Sequence, residues 1–192
     1  TKIVCGNEVW GETEERLISS GIRMENFKWE NDRILMHPYE KSIIYQLHVR
    51  GFTKHTSSGV RKKGTFEGVA EKIPYLKDLG ITAIELLPAY EFMECEKELP
   101  KVLSMDYVKE NYKELPEEKP TAKINYWGFK EACYFAPKAS YSAGKNPAGS
   151  FKTMVKELHK AGIEVIMQFY FPHTIERSYI LEVIKYWVVK LN

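Results

Sequence analysis

Three acidic residues, Glu85, Glu91 and Glu94, sit at or just past the end of one apolar run, and a histidine, His173, follows another. Two carboxylates whose surroundings push their pKa values apart can divide general acid and general base work, and a histidine exchanges protons near neutral pH. Nothing in the spacing of the three glutamates requires such a pair, and carboxylates on loops are mostly solvated. His173, taken alone, reads as an exposed loop histidine. A further group is aromatic: Tyr126, Trp127 and Phe129 head a patch that extends to Tyr141. Rings of this kind serve as stacking platforms for sugars or as ordinary core. Cys5, Cys95 and Cys133 are odd in number and form no C-x-x-C pair. No disulfide framework or zinc motif is suggested, and no cofactor is expected.

Composition narrows the classes. The chain has 192 residues, 44% hydrophobic and 28% charged, an ordinary globular balance. Lys plus Arg total 28 against 26 for Asp plus Glu, and a net charge of +2 makes no case for a nucleic-acid partner, which needs a concentrated basic face. No apolar run reaches the roughly 18 residues of a spanning helix, so no membrane partner is expected. The opening residues, Thr1 to Gly6, lack the pattern of a signal peptide. The cysteine usage fits a reducing cytoplasm, and the chain is expected there.

These side chains need elements to position them. Residues 42–49 are dense in β-branched and apolar types and predict a buried strand. Residues 53–64 read as a loop. Thr65 can cap a helix over 66–79, where Phe66, Val69, Ala70, Ile73, Leu76 and Leu79 form one apolar face, Pro74 should kink or split it, and Gly80 ends it. Residues 82–87 predict a second strand, stopped by Pro88, completing a right-handed βαβ unit. A long loop, 88–149, follows; its Pro/Glu/Lys tract, Leu115–Pro120, is expected to be mobile and its aromatic patch ordered. Ser150 is the expected cap of a helix over 151–161, with Phe151, Met154, Val155 and Leu158 as its stripe. Residues 165–170 predict the third strand, and a last helix over 178–191 places Leu181, Ile184, Trp187, Val188 and Leu191 on one face. Residues 1–40 form an irregular lead-in. The alternation predicts an α/β fold with a parallel sheet covered by helices. Three strands leave two open edges. They predict self-association, unless the lead-in or further strands of the same protein cover them.

At Tyr45-Gln46-Leu47-His48-Val49-Arg50-Gly51-Phe52-Thr53 the sequence resembles the first barrel strand of the pullulanase/isoamylase branch of the α-amylase superfamily of glycoside hydrolases. Residues from Gly64-Thr65-Phe66 to Leu87-Pro88 resemble that family's first helix and second strand. Asn125-Tyr126-Trp127-Gly128-Phe129 resembles its aromatic NYWGY phrase, Phe135-Ala136-Pro137 and Tyr141-Ser142 the segment after it, and Phe151–Ile166 its second helix and third strand. Gly6–Gly11 and Trp29–Arg33 resemble the linker that precedes the barrel.

The resemblance implies a fold: the N-terminal part, about three βα units, of a TIM-type (β/α)8 barrel, incomplete, over 41–192. It implies an α-glucan of the glycogen, starch or pullulan type as partner, and retaining hydrolysis by a carboxylate nucleophile and a carboxylic acid about 5 Å apart. In the family these two residues follow the fourth and fifth strands. The chain ends on the helix before the fourth strand, so no catalytic residue is expected within it, and by itself it is expected to be inactive. Remnant substrate-binding residues are implied at His173, which matches a sugar-binding histidine, at Phe129, which matches a stacking tyrosine, and at Trp127 and Tyr126, which line or buttress the same cleft. Gln46 stands where the family has Glu and Gln168 where it has Asp. Pro172 replaces an Asn that binds calcium in many members, and it offers no side-chain oxygen, so no metal is expected. These departures leave open a second possibility: a non-catalytic, degenerate barrel remnant acting as a glucan-binding or partner-interaction module.

Overall fold

The computed structural model describes residues 27–96 and 123–190. In chain order its elements are β1 (Ile44–Leu47), α1 (Val49–Lys54), α2 (Phe66–Glu71), α3 (Ile73–Asp78), β2 (Ala83–Leu86), β3 (Tyr90–Glu91), β4 (Cys95–Glu96), β5 (Lys123–Ile124), β6 (Cys133–Pro137), α4 (Pro147–Lys160), β7 (Glu164–Met167) and α5 (Arg177–Lys190). Three of the strands make one parallel sheet in the order β1-β2-β7.

The strands are shorter than the apolar runs, for local reasons. β1 ends at Leu47 because α1 starts at Val49, and His48, still extended (φ −95°, ψ 123°), is the N-cap between them. Helix α1 lies where the sequence predicted a strand end, an unassigned stretch and the start of the 53–64 loop. β7 starts at Glu164, opposite Ala83, and after Met167 the ladder closes with Gln168 donating to the Leu86 carbonyl at 2.9 Å. The expected helix over 66–79 splits at Lys72 into α2 and α3, and Pro74 falls in the first turn of α3, where its missing N–H is harmless. Thr65 caps α2 through the Gly68 amide at 3.1 Å.

Two local expectations are corrected. Asn146, not Ser150, caps the fourth helix: its Oδ1 accepts the Gly149 amide at 3.1 Å, and Pro147 starts the helix. Ser150 is a turn inside, its hydroxyl 2.7 Å from both Glu67 and Ser142. In α5, Leu181 is 52% exposed, Ile184 44% and Val188 57%, whereas Val183 and Trp187 are buried. Apolar residues run nearly all round this helix, so spacing alone selects no unique face. Trp187 decides it: its indole N–H donates to the Tyr134 carbonyl at 2.6 Å and its ring packs on Phe151 and Phe169.

The sheet has two unlike faces, because side chains alternate along a strand. Leu47, Ile84 and Leu86 point into the core beneath α2 and α4, beside Phe66, Val69, Phe151, Met154 and Leu158. The register row Gln46, Glu85 and Ile166 lies on the other face, where Ile44, Gln46 and Ile166 are exposed. Residues 27–37 of the lead-in run along the end of α4 and the start of β7. Asp32 pairs with His159 at 2.9 Å, Lys156 donates to the Lys28 carbonyl at 2.9 Å, and the His37 amide donates to Glu164 at 3.0 Å. These are side-chain bonds; they do not extend the backbone ladder of β7. The rest of the lead-in, residues 1–26, and the Leu115–Pro120 tract lie outside the described residues. Among the described residues, no helix is long and apolar enough to cross a membrane.

Candidate functional site at the carboxyl ends of the strands

Beyond β2 and before α4 the chain makes two antiparallel arms, β3 with β6 and β4 with β5. β5 delivers the chain into the aromatic loop, residues 125–129, whose first amide, that of Asn125, donates to the Glu94 carbonyl at 2.7 Å. The Asn125 side-chain oxygen accepts the Gly128 amide at 3.1 Å, an Asx-type turn that folds the loop back on itself. Gly128 is required there. Its φ is +76°, and a Cβ would meet three Phe92 ring atoms at 2.5 to 2.9 Å.

Residues at all three carboxyl ends of the parallel sheet hold this loop. Just past β1, the buried His48 ring lies flat on Tyr126, with centroids 4.1 Å apart and planes 7° apart. Its Nδ1 accepts the Gly51 amide at 3.0 Å, which puts the ring proton on Nε2, and that N–H donates to the Tyr126 carbonyl at 2.9 Å. Past β2, the fully buried Tyr90 donates its hydroxyl to the Gly128 carbonyl at 3.2 Å. Past β7, the Tyr170 amide donates to that same hydroxyl at 3.2 Å, and the Tyr170 ring meets Phe129 edge-on at 6.3 Å. Burial pushes the Tyr90 hydroxyl above its ordinary range, so it stays a neutral donor and acceptor.

The loop therefore presents two rings. Trp127 is 54% and Phe129 40% exposed, while Tyr126 is half-buried as the buttress between His48 and Trp127. Phe129 is not core. His173 lies in an exposed turn after β7, closed by the Ile175 amide donating to the Pro172 carbonyl at 3.0 Å. Tyr126 and Trp127 are in direct ring contact, Phe129 packs on the Tyr170 end of the loop, and His173 belongs to a separate turn beyond the same strand end.

The glutamates do not form a free carboxylate pair. Glu91 accepts from Lys138 Nζ at 2.6 Å and from the Ala139 amide at 2.6 Å. Burial pushes its carboxyl up against the pull of that ammonium. Glu94 pairs with Arg50 at 2.9 Å, and Lys138 Nζ stands 3.9 Å from it. Lys138 also donates to the Phe92 carbonyl at 2.8 Å and sits 4.6 Å over the Phe92 ring. This buried network braces the floor of the aromatic loop. Glu85 stays in β2, in register with Gln46 and Ile166. Among the described residues, no three His, Cys, Asp or Glu side chains converge to hold a metal ion.

Sequence reasoning missed His48, Tyr90, Arg50 and Lys138. His48 carried no N-cap signal, because Ser, Thr, Asp and Asn are the types that mark one, and its bond from the Gly51 amide is seen only in the structure. The others act across long chain separations and had no local signal.

Comparison with known proteins follows the same stretch. The α-amylase catalytic-domain family matches residues 43–126, from the approach to β1 through Tyr126. Isoamylase 1, chloroplastic, of Arabidopsis thaliana is 41% identical over 160 residues, covering 80% of this chain and 18% of that protein. A glycogen operon protein GlgX homolog of Haemophilus influenzae is 38% identical over 156 residues, covering 79% of this chain and 20% of that protein. A pullulanase from Paenibacillus barengoltzii, solved with maltohexaose and α-cyclodextrin, superposes with a TM-score of 0.61 at 25% identity over 85% of this chain and 31% of that one. The chain spans about a fifth of the length of these curated relatives. From the strand ends to the aromatic loop they carry, the chain belongs to the pullulanase/isoamylase branch of the α-amylase superfamily.

Proposed function

We propose that this chain is part of an α-glucan-active glycoside hydrolase of the debranching type, acting on glycogen, starch or pullulan by retaining hydrolysis. In this reading it supplies the first three βα units of a (β/α)8 barrel, and its aromatic loop contacts the glucan. One observation carries it. Two exposed rings, Trp127 and Phe129, are held at the carboxyl ends of parallel strands, where barrel enzymes build their sites. The flat apolar faces of a glucose ring suit such platforms, and His173 beyond β7 adds a hydrogen-bonding group for the same sugar.

Taken by itself, the chain is proposed not to hydrolyse glucan. Glu91 and Glu94 are engaged by Lys138 and Arg50, which leaves neither poised as a nucleophile. The runner-up reading is a non-catalytic glucan-binding or partner-interaction module, and the replacements at Gln46, Gln168 and Pro172 favour it. The cytoplasm, a reducing compartment, belongs to the same proposal, as does self-association through the outer edges of β1 and β7.

Calorimetric titration of the full chain with maltohexaose tests the core of this reading. Binding is expected, with Trp127→Ala and Phe129→Ala each weakening it about tenfold, the scale of a central aromatic contact. No heat at millimolar sugar would overturn it. Release of reducing ends from pullulan by the chain alone would overturn the proposed inactivity.

A further inference from the structure

The Trp127 platform stands against two neighbouring rings. Its ring stands edge-on to Tyr126, with centroids at 5.1 Å and planes at 87°, and edge-on to His48, at 5.9 Å and 88°. The imidazole is the floor beneath both. It lies flat on the Tyr126 ring and donates from Nε2 to the Tyr126 carbonyl at 2.9 Å. The Tyr141 hydroxyl lies 3.1 Å from the same nitrogen. On its other side, Nδ1 accepts the Gly51 amide at 3.0 Å and so caps α1. A Cβ on Gly51 would sit 2.5 Å from the Tyr126 hydroxyl, so that hydroxyl rests over the first turn of the same helix.

The two ring nitrogens therefore have opposite duties, one accepting and one donating. Only the neutral Nε2–H tautomer performs both. A second proton has one place to go, Nδ1, and there it would face the Gly51 N–H, donor against donor. The cap must then open and the ring must turn, and Tyr126 and Trp127 lie against that ring.

We propose that His48 is a positioning residue for the aromatic loop, and that its protonation releases Tyr126 and Trp127 from the geometry that receives glucan. Glucan affinity at this face then falls on acidification. This rests on the reading of the loop as a glucan contact. The groups facing the imidazole are Arg50 on α1, which opposes the added proton; Glu94, paired with Arg50, which favours it; and the neutral hydroxyls of Tyr126 and Tyr141. Burial, reinforced by Arg50, holds the ring below its ordinary value against the Tyr126 carbonyl and Glu94. Because the folded value is depressed, the neutral contacts are intact above the ordinary histidine pKa of about 6.5 and are lost as pH falls through the lower folded value.

The test is maltohexaose titration of the full chain from pH 8 to pH 5, beside His48→Asn. The Asn oxygen can still accept the Gly51 amide, but it neither titrates nor reaches Tyr126. Wild-type affinity is expected to fall about fivefold or more as pH drops, the scale of one lost tether. The variant is expected to start about fivefold weaker and to show no such fall. Full pH dependence retained in His48→Asn, or a wild-type affinity that does not change with pH, would overturn the proposal. A second measurement needs no variant that folds: the Trp127 indole N–H and the His48 ring carbon, followed by NMR in the wild type, are expected to titrate with one midpoint. Different midpoints, or a Trp127 signal that does not move, would overturn it too. If maltohexaose gives no heat at any pH, the glucan reading fails while the NMR titration still decides the role of His48.

Discussion

The Tyr90 hydroxyl donates to the Gly128 carbonyl at 3.2 Å, so a buried side chain just beyond the second parallel strand holds the turn of the aromatic loop. The same oxygen accepts the Tyr170 amide at 3.2 Å, and the hydroxyl joins the loop to the end of β7. Tyr90→Phe keeps the ring packing and leaves one carbonyl and one amide without their partner. It should lower stability by about 1–3 kcal/mol in urea titrations, with the slope unchanged. Hydrogen exchange at the Tyr170 amide should accelerate more than at Ile84 in β2.

Gly128→Ala should cost about 2–4 kcal/mol. An alanine pays for the left-handed backbone, φ +76°, and its Cβ also runs into the Phe92 ring. Thermal unfolding checks it. Gly144→Ala is the control, since nothing lies within 4 Å of a Cβ built there and its φ is not in the left-handed region.

Lys138→Met removes the cation that neutralises Glu91 and leaves the carboxylate buried. Breaking a buried pair from one side costs about 3–5 kcal/mol when the remaining group stays charged. Glu91 is already raised, by burial against the pull of Lys138, and losing Lys138 raises it further. A raised carboxyl is stable as the acid below its unfolded value of about 4.3, and the folded state loses that stability as pH rises through the folded value. The deficit should therefore be small near pH 4 and grow towards pH 8. Denaturant midpoints at several pH values check it; a deficit independent of pH would show that Glu91 stays ionised throughout.

Glu67 ties α2 to the start of α4. Its carboxylate accepts from the Ser150 hydroxyl at 2.7 Å and the Ala143 amide at 3.1 Å. Burial works against its charge, but these hydrogen bonds outweigh it and hold the carboxyl below the usual range. A depressed carboxyl stabilises above its unfolded value, about 4.3, and the benefit disappears as pH falls through the folded value. Glu67→Gln should cost about 1–2 kcal/mol at pH 7 and approach no cost at the acid end. Stability curves from pH 7 to pH 2 decide it.

Much of the fold was legible because its signals are local. Thr65 before an apolar stripe, Pro74 at the break between two helices, and β-branched runs at Ile44 and Ile84 act within a few residues. Alternation of strands and helices then predicts a parallel sheet, and the structure sets its order, β1-β2-β7. Where several local solutions were nearly equal, the prediction failed. Asn146 and Ser150 can both cap a helix, and α5 is apolar on more than one side; packing against Tyr134 and Glu67 chose between them.

The sequence by itself determined which side chains of the candidate site exist and roughly where the strand ends bring them: Tyr126, Trp127, Phe129 and His173. Only the tertiary structure decided what holds the first three. His48 reaches Tyr126 across 78 residues, Tyr90 reaches Gly128 across 38, and Tyr170 reaches Tyr90 across 80. It also decided that Glu91 and Glu94 are ion-pair partners of Lys138 and Arg50. A hydrogen bond needs donor and acceptor within about 3 Å. At such chain separations, only the packing of the whole fold sets that distance.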